Sequence, residues 1–195
     1  MKTERLSWGT IYVIENTGEI RFSKNVLNSR GVLESPALAD IDNDGNLEIA
    51  TSFLDSSGAY IYDHNGNVLP NWPQFSGGTS LASSIFANVD EDSDIELLKT
   101  AGTEVWGWDT NGNTVLEFPK LTEYHATASA SVFDLDNDGL SEIIASSDND
   151  YDMRSGKFKN RGSIYVWETN SSFSEETQEW PMFHHDAAHT GCYNC

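Results

Sequence analysis

Apolar and small residues fall into runs of three to seven along the chain, separated by acidic or Asn/Gly-rich punctuation. No stretch sustains a helical period, whereas alternation and short apolar runs bounded by turn signals predict strands. The runs also recur in a fixed order. A small-residue strand ("SPALADI", "LASSIFANV", "ASASVFDL") leads into an acidic loop, then an apolar run ("LEIATSF", "IELLKTA", "SEIIASS"). A hairpin with a central turn signal follows: "YIYDHNGNVL", "VWGWDTNGNTVL", "IYVWETNSSF". A fourth hairpin, "IYVIENTGEIRF" at 11–22, opens the chain without an acidic loop before it. Aromatic–proline segments recur as "NWPQF" at 71, "EFPKL" at 117 and "EWPMF" at 179. The loops start at 40, 88 and 134, so the period is 48 and then 46 residues. Periods of that length mark propeller or solenoid architectures. The expectation is an all-β chain made of β-propeller blades of four antiparallel strands, about three and a half of them, in an incomplete ring. Its parts are an outer hairpin of a partial blade at 10–30, blades at 31–76 and 77–122, and a blade at 123–195 with an insertion at 148–162 and a closing tail.

The acidic loops carry the chemistry. Asp40-x-Asp42-x-Asp44-Gly45-x-x-Glu48 returns as Asp134-x-Asp136-x-Asp138-Gly139-x-x-Glu142. The middle copy, Asn88-x-Asp90-x-Asp92-Ser93-Asp94-x-Glu96, has Ser for Gly. Carboxylates this close repel unless a cation lies among them. In a curling loop, side chains at positions 1, 3 and 5 turn toward one point, Gly at 6 permits the sharp turn, and the last Glu closes the cage. The backbone carbonyl at position 7 (Asn46 and Leu140) adds a further oxygen. Hard oxygen donors in that number suit Ca2+ better than the strict octahedron of Mg2+. An EF-hand closes at position 12 between helices, whereas these loops close at position 9 between strands. One isolated copy would read equally well as a polar turn; copies in register with the repeat point to calcium. The expected ligand sets are Asp40, Asp42, Asp44, Asn46 and Glu48; Asn88, Asp90, Asp92, Asp94 and Glu96; and Asp134, Asp136, Asp138, Leu140 and Glu142. The middle set is weakened by Ser93, although Asn88 offers an amide oxygen and Asp94 another carboxylate.

Composition narrows the partners. With 31 acids against 11 bases the formal net charge is −20. That disfavours nucleic acid and anionic membranes, leaving cations, proteins or glycans as ligands. No apolar run approaches the roughly 20 residues of a membrane helix, so no membrane insertion is expected, and "MKTERLSWGT" shows no signal-peptide core.

The repeats "SPALADIDNDGNLEIATS" and "ASASVFDLDNDGLSEIIAS", each followed by its hairpin and a "WP" segment, resemble FG-GAP/VCBS-type repeats, and the resemblance runs over about residues 10–195. It implies the calcium-binding β-propeller found in integrin α subunits and many secreted microbial proteins, with an extracellular or cell-surface location. By it, Asp40, Asp42, Asp44 and Glu48 ligate one ion and Asp134, Asp136, Asp138 and Glu142 another. "WPMFHHDAAHTG" is similar to the segment that closes such propellers. Three and a half blades do not close a ring of the usual four to eight, and open edges invite pairing. The chain is therefore expected either to form a homo-oligomer or to belong with further blades of a longer chain.

No Gly-x-Ser-x-Gly, HExxH or phosphate-binding glycine loop is present, so catalysis is not expected; the competing reading is the propeller portion of a secreted polysaccharide lyase. The tail gathers His184, His185, His189, Cys192 and Cys195, for which packing and a disulfide are the ordinary roles and zinc the alternative. The insertion carries Arg154, Lys157, Lys159 and Arg161, as a solvated loop or a contact arm. Asn170-Ser-Ser is a glycosylation sequon.

Overall fold

Alternating small and apolar positions build strands throughout. The computed structural model describes residues 8–27, 34–53, 58–78, 81–148, 151–152, 157–158, 162–174 and 177–193. A hairpin of β1 (Trp8–Ile14) and β2 (Ile20–Leu27) opens the chain. Two antiparallel meanders of four strands follow. The first sheet is β3 (Ala37–Ala39), β4 (Glu48–Ser52), β5 (Gly58–Tyr62) and β6 (Gln74–Phe75). The second is β7 (Ile85–Ala87), β8 (Glu96–Ala101), β9 (Glu104–Trp108) and β10 (Lys120–Leu121). In the third unit β11 (Ser131–Phe133) and β12 (Leu140–Ser147) are followed by the small hairpin of β13 (Tyr151–Asp152) and β14 (Lys157–Phe158). Then β15 (Ser163–Ser172) completes a sheet in the order β11-β12-β15. The fourth strand expected of this unit is absent among the described residues. After β15 the Phe173 N–H bonds to the Gly139 carbonyl, and the chain then runs to the first strands of the second and third sheets instead of back along β15.

The sheets stack face to face. Ala37, Ala39, Ala50, Ala59 and Ile61 on one face of the first sheet share a core with Phe86, Leu97 and Trp108 of the second. The small alanine side chains make room for the indole of Trp108, which is 1% exposed. The opposite face of the second sheet, with Ile85, Ala87, Leu98 and Val105, packs on Val132, Ile143 and Ala145 of the third. Covered on both sides, β8 is buried at every position, as its unbroken apolar run implies. Each such Leu, Ile or Val adds about 1.5–3 kcal/mol of burial. The opening hairpin lies on the free face of the first sheet: Gly66 (φ +77°) sits against the Phe22 ring, and a Cβ there would come within 2.7 Å of it.

The tail is a strap across the stack. Trp180 and Phe86 exchange backbone hydrogen bonds at 2.9 and 3.1 Å, and the Val132 N–H donates to the Pro181 carbonyl at 2.9 Å. His184 Nε2 lies 2.9 Å from Ser35 Oγ, and its ring stacks on Phe183. His185 packs edge-on against Trp180, and His189 Nδ1 is 3.1 Å from the Phe183 carbonyl. The tail histidines thus pack and hydrogen-bond. Cys192 is disulfide-bonded, while Cys195, Arg154, Lys159 and Arg161 lie outside the described residues, and Lys157 is placed by its backbone alone, at the start of β14.

Candidate metal centres

Each acidic loop joins the first two strands of its sheet, and strand register fixes its closing glutamate. Glu48 pairs with Ala39, Glu96 with Ala87 and Glu142 with Phe133, each partner being the residue just before position 1. The glutamate therefore lies beneath the loop, and it accepts the backbone N–H of position 2 in all three copies. Ile41 N–H donates to Glu48 at 3.2 Å, Val89 N–H to Glu96 at 2.8 Å and Leu135 N–H to Glu142 at 2.5 Å. All three glutamates are buried, at 2%, 1% and 5% exposure.

Around them carboxylates converge. In Asp40, Asp42 and Glu48, in Asp90, Asp92 and Glu96, and in Asp134, Asp136 and Glu142, one oxygen from each residue lies within 4.8 Å of the others. These are the groups of His, Cys, Asp or Glu able to hold a metal among the described residues. The outer copies use positions 1, 3 and 9; the middle copy uses 3, 5 and 9.

The first and third loops fold alike. Asp40 accepts the N–H groups of Asp44 and Gly45 at 3.0 and 2.9 Å, and Asp134 those of Asp138 and Gly139, both at 3.1 Å. The turn needs left-handed backbone at Asn43 and Gly45, and again at Asn137 and Gly139, where glycine and asparagine are tolerated best. Asp44 accepts the Asn46 N–H at 2.7 Å and its side-chain amide at 2.9 Å, and Asp138 accepts the Leu140 N–H at 2.8 Å. Those bonds hold the Asp44 carboxyl below the usual range.

The middle loop is tethered. Asn88 is 4% exposed, and its amide oxygen accepts from the Ser171 hydroxyl at 2.6 Å and the Asp90 N–H at 3.2 Å. Its amide NH2 donates to the Asp92 carbonyl at 2.7 Å. Its backbone N–H donates to the Thr177 carbonyl at 3.2 Å, and its own carbonyl accepts from Gln178 at 3.4 Å. Asp94 lies outside the triad, and its N–H donates to Asp92 at 2.9 Å. Ser93 has no left-handed backbone, so this loop turns without the glycine its neighbours need.

The charge is poorly compensated from within. Burial first, and then Asp42, Asp44 and Asp40, push Glu48 up to about 7, against the lowering effect of the Ile41 N–H. Burial and the Asp90, Asp92 and Asp94 charges push Glu96 up to about 8. Clustered, partly desolvated oxygen donors of this kind fit a hard divalent cation, which would restore the charged form of Glu48 and Glu96.

One buried charge went unread in the sequence. Lys99 of β8 is 2% exposed and reaches across the first core to Glu34, with Nζ 3.1 and 3.2 Å from the two carboxylate oxygens. Ser52 bonds to both residues. Burial lowers the Lys99 pKa and raises that of Glu34, each opposed by the partner's charge. The only signal was a lysine inside the apolar run "IELLKTA".

No helix among the described residues is long and apolar enough to cross a membrane. No protein-family model matches the chain, and no curated protein matches it. Among solved structures, the chain is similar to the V. cholerae biofilm matrix protein Bap1 at 18% identity and a TM-score of 0.41, over 87% of this chain and 33% of that one, so that it spans about a third of that protein's length.

Proposed function

We propose that this chain is a calcium-stabilised, non-catalytic β-propeller arc of about three and a half blades, built from FG-GAP/VCBS-type repeats and acting as an extracellular module for protein interaction or self-assembly. The observation that carries the calcium reading is the same carboxylate convergence at equivalent places in three repeated sheets, each closed by a buried glutamate. An ion in each site ties the first two strands of its sheet together and neutralises a cluster that otherwise loosens them. The acids are then accounted for by cation binding, and the module acts through its surfaces. Native mass spectrometry of the chain in calcium, and again after chelation, tests the reading. Three ions per chain is the expected result, and none bound at millimolar calcium would return the loops to ordinary polar turns.

A further inference from the structure

Each sheet presents two faces, and one packing step repeats along the chain. The front of the first sheet meets the back of the second, and the front of the second meets the back of the third. The front of the opening hairpin lies on the back of the first sheet, where Lys24 and Asn25 line a cleft with Tyr60 and Tyr62. The backs of the three sheets each carry a pair of stacked rings on the third strand: Tyr60 with Tyr62, Trp106 with Trp108, and Tyr165 with Trp167.

Two faces have no partner within the described residues. On the front of the third sheet, Ile164 and Val166 occupy the register positions of Val105 and Gly107 in the second. Val105 is fully buried beneath the third sheet, whereas Ile164 is 77% and Val166 48% exposed. On the back of the hairpin, turn geometry aligns Glu15 with Asp63. Tyr12 and Ile14 therefore take the places of Tyr60 and Tyr62, and they are 56% and 60% exposed, with Ile20 beside them at 58%. Five of the twelve exposed large apolar side chains among the described residues lie on these two faces. Apolar surface concentrated this way marks an interaction site.

Resting on the assembly reading above, we infer that these two faces dock on each other between copies. The back of one copy's hairpin covers the front of the third sheet of the next. A second copy is the fitting occupant because the open front has the pattern that receives a back of this repeat, and the same chain carries one such back uncovered. The contact is head to tail, and copies linked by it close into a ring or extend as a filament.

Sedimentation of the full chain in millimolar calcium, with two double variants, tests this. Ile164→Glu/Val166→Glu blocks the front, and Tyr12→Glu/Ile14→Glu blocks the back; all four side chains are exposed enough for folding and calcium loading to be unchanged, which thermal melts and native mass verify. Wild type is expected to form oligomers that grow with concentration, and each variant to stay monomeric. An equimolar mixture of the two variants is expected to give a one-to-one dimer, because each retains the face the other lacks. A calcium-loaded wild type that remains monomeric overturns the inference and leaves calcium binding standing. Variant oligomers equal to wild type overturn it and leave self-assembly standing through another surface. Monomers in the mixture overturn the head-to-tail pairing.

Discussion

The outer acidic loops and the middle one share a pattern but are held in different ways. In the outer loops position 1 is an aspartate that accepts two N–H groups of its own loop and joins the convergent triad. In the middle loop it is Asn88, whose side chain and backbone engage Ser171, Thr177 and Gln178 far along the chain. Asp92 at position 5 then takes the vacated place in the triad. One copy of the repeat has thus shifted a ligand position to anchoring the chain's last segment, and its carboxylates regroup around the same closing glutamate. The middle loop can do this because its sheet is covered on both faces and the strap crosses beside it.

The largest effect that separates the loops is loss of the ion. A site held at a hundredfold excess over its Kd contributes about 2.7 kcal/mol, so chelation is expected to lower the melting temperature by roughly 15 to 30 °C if three sites are filled. Single substitutions sort the sites. Glu48→Gln, Glu96→Gln and Glu142→Gln are each expected to remove one ion by native mass. In calcium-free buffer Glu96→Gln is expected to be neutral or stabilising, since at pH 7 burial already favours the uncharged form.

Proton linkage comes next in size. The folded pKa values of Glu48 and Glu96 are raised, to about 7 and about 8, above an unfolded value near 4.3. The folded chain therefore holds more protons than the unfolded one across that window. This contribution is fully present below about pH 4.3 and is lost as pH rises through 7 and 8. Calcium-free denaturant midpoints are expected to fall from pH 5 to pH 8.5, by on the order of a few kcal/mol in total. With calcium in excess the slope from these groups flattens over the same window, because the ion holds the folded carboxylates deprotonated, as they are in the unfolded chain. A flat calcium-free profile would mean that the glutamates are ionised without strain.

Much of this was legible because it is local. Strand, acidic loop, strand and hairpin follow one another within a single period, and register alone puts Glu48, Glu96 and Glu142 under their loops. The positive-φ turns at Gly45 and Gly139 also followed from spacing. What escaped depends on contacts between distant residues. Asn88 meets Ser171 across 83 positions, and Lys99 meets Glu34 across 65. Neither pair has a periodic signature, since each is set by how whole sheets stack. That β15 has no fourth strand beside it among the described residues has the same origin: residues 177–181 pair with Phe86, Asn88 and Val132 across the stack.

Exchanging the position-1 residues tests the two kinds of anchoring directly. Asn88→Asp keeps an acceptor for Ser171 but loses the donor to the Asp92 carbonyl and adds buried negative charge. It is expected to cost about 2 kcal/mol in calcium-free buffer, measured by urea denaturation. Asp40→Asn, at an exposed loop, is expected to change calcium-free stability much less and to weaken the first ion site instead. If both substitutions behave alike, the tether at Asn88 does not distinguish the loops.

The smallest effects concern position 6, where the same pair of residues should act with opposite sense. Gly45 sits at φ +85° with open space where a Cβ would go, so the penalty for Gly45→Ala is backbone strain alone, about 1–2 kcal/mol. Ser93 lacks left-handed backbone, so Ser93→Gly relieves nothing and only widens the unfolded ensemble, costing about 0.4–1 kcal/mol. Adding a side chain at one loop and removing one at the other thus both destabilise. A stabilising Ser93→Gly would mean instead that the middle loop strains toward its neighbours' turn and that the Asn88 tether holds it away. Combining Ser93→Gly with Asn88→Asp then decides the matter: independent effects add within about 0.5 kcal/mol, whereas a tether working against the turn makes the pair cost less than the sum.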